Sequence, residues 1–243
     1  MSVQTRKQRE IELREKLILD AAERMLLERG YLGLNMDRVA EAVDYSKGTV
    51  YQHFTCKEDL IAALLVRTIT VREGLFARAA LFRGRPRERL MAVGVADQLF
   101  SKVYPEHDRI ERVIKVESIW DKASVDRRTQ FMQRDHNCLN IITGIIRDAV
   151  AHGDLTFREG LSDRSLAFGL WSMAIGARLI ITHGLGEEVT GVAVPEETQM
   201  ANYQVFLDGY GWQPLSTQWD YDGVLERIRA EVFADDLANI HPA

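Results

Sequence analysis

Two cysteines, five prolines and no unbroken apolar run of membrane-spanning length occur in the 243 residues, and each scarcity removes a class of protein. Cys56 and Cys138 are too few and too far apart for a disulfide framework or a paired-cysteine zinc site, so a reducing cytoplasm is the expected compartment. The opening MSVQTRKQREIELREK puts charges where a secretory signal needs apolar residues. The most apolar stretch, Leu166 to Thr182, is interrupted by Arg178 and shorter than the roughly 20 residues of a membrane span, so no membrane contact is expected. Sustained period-two alternation is also missing. The nearest approach to a strand, Val189 to Val194, lies just ahead of Pro195 and reads as a loop. There is no Gly-rich phosphate loop, nucleophile elbow or HExxH, so no catalytic residue, enzyme activity or cofactor is expected. His107, His136, His152 and His183 share no helical spacing, and no metal site is expected.

What remains is an all-α chain of ordinary composition, 46% hydrophobic and 28% charged with a net charge of −5, long enough for one large or two ordinary domains. Leu17, Ile18, Ala21, Ala22, Met25 and Leu26 recur at helical spacing and predict a helix from about Gln8 to Arg29, closed by Gly30. Met36, Val39, Ala40 and Val43 give a second helix of about two turns, capped by Asn35 and ending at Asp44. A third short helix follows the break at Asp44, Tyr45 and Ser46. Thr55-Cys-Lys-Glu58 reads as a capping box that opens a fourth. Further helical patterns run over about 86–103, 108–122, 125–152, 162–184, 196–210 and 220–238. The last of these has no assignable docking site.

A short helix, a three-residue turn and a second short helix on a longer preceding one is the helix-turn-helix arrangement, whose second helix enters the major groove of DNA. Residues 14–60 resemble the N-terminal domain of the TetR family of transcriptional regulators. The resemblance rests on Ala21-Ala22, Gly30-Tyr31, Val39-Ala40, the contiguous Ser46-Lys47-Gly48-Thr49-Val50-Tyr51-Gln52-His53-Phe54, and Lys57-Glu58-Asp59-Leu60. Departures from the family pattern are Leu34-Asn35 at the start of helix two, Asp44 in place of the turn glycine and Tyr45 in place of a small aliphatic residue. Asp tolerates a left-handed backbone better than most residues.

The residues expected at DNA are Asn35, Tyr45, Ser46, Lys47, Gly48, Thr49, Tyr51, Gln52, His53 and Lys57. Small Gly48 and Thr49 allow close approach, Gln52 suits adenine, and Lys57 suits a phosphate. Val39, Val50 and Phe54 are expected in the core. Residues 1–60 are read as the DNA-binding domain, with 10 Lys+Arg against 11 Asp+Glu. Arg6, Lys7 and Arg9 are read as a flexible basic arm ahead of helix one.

Residues 61–243 are read as a helical effector-binding and dimerisation domain, as the resemblance implies. Gly169, Ala174, Gly176 and Ala177 permit close helix approach, and Met200, Tyr203, Leu207 and Tyr210 offer a second face. Charges on apolar stripes nominate Glu117, Trp120, Phe131, Asp135 and Arg178 for the effector, with Arg178 meeting Glu117, Asp135 or an anionic ligand. The reading is a homodimeric regulator, more often a repressor in this family, that binds an inverted repeat of double-stranded DNA and is released by a small molecule of unknown identity. The alternative is a helical enzyme or small-molecule carrier in which the helix-turn-helix only packs.

Overall fold

The computed structural model describes residues 5–113, 119–182 and 187–238, and every regular element among them is a helix. In order these are α1 (Arg6–Gly33), α2 (Met36–Ala42), α3 (Lys47–His53), α4 (Lys57–Ala80), α5 (Pro86–Val103), α6 (Pro105–Val113) and α7 (Ile119–Lys122). Then come α8 (Val125–Ala151), α9 (Asp163–Thr182), α10 (Glu187–Thr190), α11 (Pro195–Gly209), α12 (Tyr221–Glu231) and α13 (Ala234–Ala238). The chain divides into two compact units, residues 1–71 with 104–135, and residues 72–103 with 136–243. The boundary expected after residue 60 therefore falls inside α4, an uninterrupted helix rather than a linker.

In the first unit, Ile18, Ala21, Ala22, Met25 and Leu26 of α1 pack with Val39, Ala40, Val50 and Phe54, with Leu60, Ile61 and Leu64 of α4, and with Ile110 and Ile119. Gly30 has φ 68° and ψ −177°, a conformation that only glycine enters without strain, and it kinks α1 where the periodicity ends. Arg6, Lys7 and Arg9 lie within α1 and not in an arm ahead of it. The helix starts earlier than expected because the Thr5 hydroxyl accepts the Gln8 N–H at 3.2 Å and caps it.

A buried polar cluster joins three helices of this unit. Asp20 and Glu23 of α1 meet Arg67 of α4 at 2.5 and 3.2 Å, and His107 of α6 lies 3.1 Å from the Thr68 hydroxyl and 3.7 Å from Glu23.

The second unit is organised around a cation. The Arg87 side chain is fully buried, and its guanidinium donates to Gln204 Oε1 (2.8 Å), Asp208 Oδ1 (2.7 Å), the Pro214 carbonyl (2.9 Å) and the Trp212 carbonyl. It thereby ties α5 to the end of α11 and to the segment leading into α12. Burying a charge is costly unless every donor finds an acceptor.

The final helical pattern is two helices, not one. Val232 caps the end of α12, Phe233 is buried, and Asp236 of α13 pairs with Arg78 at 2.8 Å. Residues 187–190, which overlap the first two positions of the stretch read as loop, form the single turn α10.

Candidate nucleic-acid interface

The turn between α2 and α3 is fixed by local hydrogen bonds. Asn35 Oδ1 accepts the Asp37 N–H at 2.8 Å and caps α2. Asp44 takes φ 55°, the left-handed position that the family's glycine would occupy. Ser46 Oγ accepts the Thr49 N–H at 3.1 Å and lies 2.9 Å from the Thr49 hydroxyl, so Ser46 caps α3 and Thr49 is drawn towards the same cap. Val50 and Phe54 are fully buried beneath α3, which leaves Lys47, Gly48, Tyr51 and Gln52 exposed on its other side. Tyr51 exposes 47% of its surface. His53 is half-buried beside Phe54, with ring centroids 6.3 Å apart. Tyr45 packs against the core of the unit, and its backbone N–H bonds to the Ala40 carbonyl.

Gly48 has no internal reason to be glycine. Its φ is ordinary, and a Cβ built there meets only Ser46 Oγ at 3.8 Å. Glycine costs up to about 1 kcal/mol relative to alanine inside a helix and less in its first turn, and nothing among the described residues compensates for it.

Both cations expected at DNA have partners within the unit. The Lys47 ammonium is held by Asp37 of α2, and that hydrogen bond raises its pKa above the usual value. Lys57 turns back over the Tyr31 ring, 4.0 Å from its centroid, and donates to the Tyr31 carbonyl; burial lowers its pKa. The capping box at Thr55 is shifted by one residue. The Thr55 N–H is accepted by Asp59 at 3.3 Å, while Glu58 pairs with Lys122 at 3.0 Å. Asp59 also accepts the Ser124 N–H at 2.9 Å, so the start of α4 is tied to the α7–α8 turn. Sequence reasoning missed Arg38, which is exposed on α2 and has no partner among the described residues. It lies outside the nine-residue motif that drew attention to α3.

The effector candidates are distributed over both units. Trp120 and Phe131 stack in the first unit with centroids 4.8 Å apart, and Asp135 ends the same unit. Arg178 belongs to the second unit, where it donates to Asp97 at 2.7 Å, a partner not foreseen because Asp97 lies 81 positions away on α5. Glu117 lies outside the described residues. The second unit also holds a groove of about 390 Å³ between α5, α11 and α12, floored by Met91, Met200, Tyr221 and Leu225.

Gly169 is small because a Cβ there would collide with the Phe206 ring of α11, whereas Gly176 has open space around it. α9, 20 residues within the expected 162–184, is by length and composition long and apolar enough to cross a membrane. Only 11% of that apolar window is buried, with Phe168 and Trp171 more than half exposed.

Residues 18–64 match the family model for bacterial regulatory proteins of the tetR family. Among curated proteins, the chain is 40% identical over 55 residues to the HTH-type transcriptional repressor AcnR of Corynebacterium diphtheriae, covering 23% of this chain and 29% of that one. It is 39% identical over 77 residues to the HTH-type transcriptional repressor KstR of Mycolicibacterium smegmatis, covering 32% and 38%. Both matches thus span well under half of those relatives. Among solved structures, the TetR family regulator PfmR from Thermus thermophilus superposes with a TM-score of 0.58 at 19% identity, covering 79% of this chain and 97% of that one. FadR from Bacillus subtilis, solved with stearoyl-CoA, gives 0.58 at 16% identity over 79% and 95%. At these identities the likeness is one of fold.

Proposed function

We propose, from the match of residues 18–64 to the tetR family model, that the chain is a ligand-responsive DNA-binding transcriptional regulator of the cytoplasm. As a homodimer it represses by binding an inverted-repeat operator and is released by a small-molecule effector. The observation that carries the DNA-binding reading is Gly48, which is costly in helix α3, unneeded by the fold and exposed at its first turn. A residue kept small on an outer helix face serves something that approaches from outside, and the face beside it offers Thr49, Tyr51 and Gln52 to base edges. The rival in which the motif only packs assigns no role to that face. A regulator of this kind acts by binding and needs no catalytic group.

For the homodimer, the exposed Phe168 and Trp171 of α9 supply the apolar face, and Gly176 leaves room for a second backbone. A two-fold dimer presents two α3 helices to half-sites about one helical turn apart. Trp120 and Phe131 remain the nominated effector contacts, with Asp135 beside them in sequence on α8. The effector lowers operator affinity by favouring the shape that binds DNA less well, with coupling typically about 1–3 kcal/mol.

Sequencing genomic fragments retained by the full-length protein identifies the operator, and titration of that duplex with the Gly48→Ala variant tests the reading. The expected result is a fold at least as stable as the parent with weakened operator affinity. A Gly48→Ala protein that binds the operator as tightly as the parent removes the argument from Gly48, and retention of no sequence above background removes the regulator reading.

A further inference from the structure

The α2–turn–α3 motif, residues 35–54, is acidic: it contains Asp37, Glu41 and Asp44 but only two Lys or Arg residues, Arg38 and Lys47. Phosphate contacts supply most of the sequence-independent affinity of a DNA-binding protein, so the motif's few cations decide how it holds the duplex. Lys47 is already engaged by Asp37 across the α2–α3 turn and also feels the charge of Glu41, one turn further along α2. Moving Lys47 to a phosphate would leave Asp37 uncompensated against a polyanion. Lys57, the next cation along the chain, is committed to the Tyr31 carbonyl and ring. Arg38 differs from both. Met36, Val39 and Ala40 form the buried face of α2, which puts Arg38 on the opposite, exposed face with Asp37 and Glu41. Its guanidinium has no partner among the described residues.

We propose that Arg38 of α2, and not Lys47 of the recognition helix, is the motif's phosphate anchor. This rests on the DNA-binding reading above and adds a division of labour to it. Arg38 holds the backbone by charge, with the planar donor fork that suits a phosphate. Helix α3, its one lysine paired with Asp37, reads base edges with the uncharged side chains of Thr49, Tyr51 and Gln52.

The test is a salt titration of full-length protein on a duplex of scrambled sequence, comparing the parent with Arg38→Ala, Arg38→Lys and Lys47→Ala by fluorescence anisotropy. Circular dichroism melts run alongside confirm that each variant is folded. Arg38→Ala should weaken binding to every duplex and lower the slope of log affinity against log salt by about one per protomer. Arg38→Lys should restore the slope, and Lys47→Ala should leave it at the parental value. An unchanged slope in Arg38→Ala, or a slope lowered by Lys47→Ala in its place, overturns the assignment while the DNA-binding reading stands. A parent protein with no salt-dependent affinity for any duplex overturns both.

Discussion

The helix-turn-helix and the second unit of this molecule are held together by contacts at different distances along the chain. Around the helix-turn-helix the decisive polar contacts are short-range: Asn35 to Asp37, Ser46 to Thr49, and the Thr55 N–H to Asp59. In the second unit they join residues 81 to 158 positions apart: Arg178 with Asp97, Arg87 with Gln204, Trp219 with Glu88, and Arg78 with Asp236. Short-range contacts set the angles of short helices and can be replaced piecemeal. Long-range contacts decide whether distant segments meet at all, and each involves a charge taken out of water. The first kind therefore sets how a surface is presented, and the second sets whether the unit exists.

The comparison is broken most directly at Arg87. Replacing it with methionine keeps the bulk but leaves Asp208, Gln204 and two carbonyls facing an apolar side chain, and removing one partner of a buried ion pair typically costs about 3–5 kcal/mol. Urea unfolding of Arg87→Met should show a loss of that size. A loss below about 1 kcal/mol would mean that the C-terminal segment docks without the guanidinium, and the contrast between the units would fall. Arg178→Leu should cost less, about 1.5–3 kcal/mol, because Asp97 stays within 3.9 Å of Arg72. An Arg178→Leu protein as stable as the parent but deaf to the effector would restore a ligand role to Arg178. For Ser46→Ala the expected loss is about 1 kcal/mol, the usual value of an N-cap. Because that loss falls on the helix that presents Tyr51 and Gln52, operator affinity should drop further than stability. Equal drops in both would show that the cap stabilises α3 without aiming it.

These distances also explain what was legible in the sequence. The α-only architecture, the buried positions of Val39, Val50 and Phe54, the Asn35 cap and the left-handed Asp44 all follow from residues within a turn of one another, where side-chain chemistry and helical period suffice. The partners of Lys47 and Lys57 within the unit were not legible for a related reason: the sequence shows that a lysine is long and charged, but not that Asp37 or the Tyr31 carbonyl lies within its reach. Nothing local marks Asp97 as the partner of Arg178, or Arg87 as a buried hub. Arg87 sits in the run Arg83-Gly-Arg-Pro-Arg-Glu-Arg89, which reads as a solvated loop and helix start. The split between α12 and α13 was hidden because Val224, Ile228, Val232 and Phe233 continue one helical stripe, and only the docking of Asp236 on Arg78 shows where the stripe breaks.

The smallest expected effect concerns the Glu23–Arg67–His107 cluster of the first unit, where polar contacts also span long separations, and it sharpens the comparison by testing buried charges in the unit that carries the DNA-binding motif. Burial lowers the His107 pKa below the usual 6.5, with Arg67 acting in the same direction and Glu106 and Glu111 against it. Burial raises the Glu23 pKa above 4.5, opposed by Arg67 and reinforced by Glu106 and Asp20. The two groups pull stability in opposite directions as pH falls. A histidine whose folded pKa is depressed contributes stability that is present above 6.5 and lost on acidification, because the unfolded chain takes the proton first. A carboxylate whose folded pKa is raised contributes stability in acid that is lost as pH rises through the folded value, because there the folded chain holds the proton longer. Chemical denaturation across this range should therefore show the parent losing stability relative to His107→Gln as pH drops below 6.5, and gaining relative to Glu23→Gln as pH approaches 4.5. If the parent and His107→Gln run parallel through the whole range, His107 takes up its proton equally in both states. The packing of His107 against Thr68 and Glu23 would then carry no penalty for the charged ring.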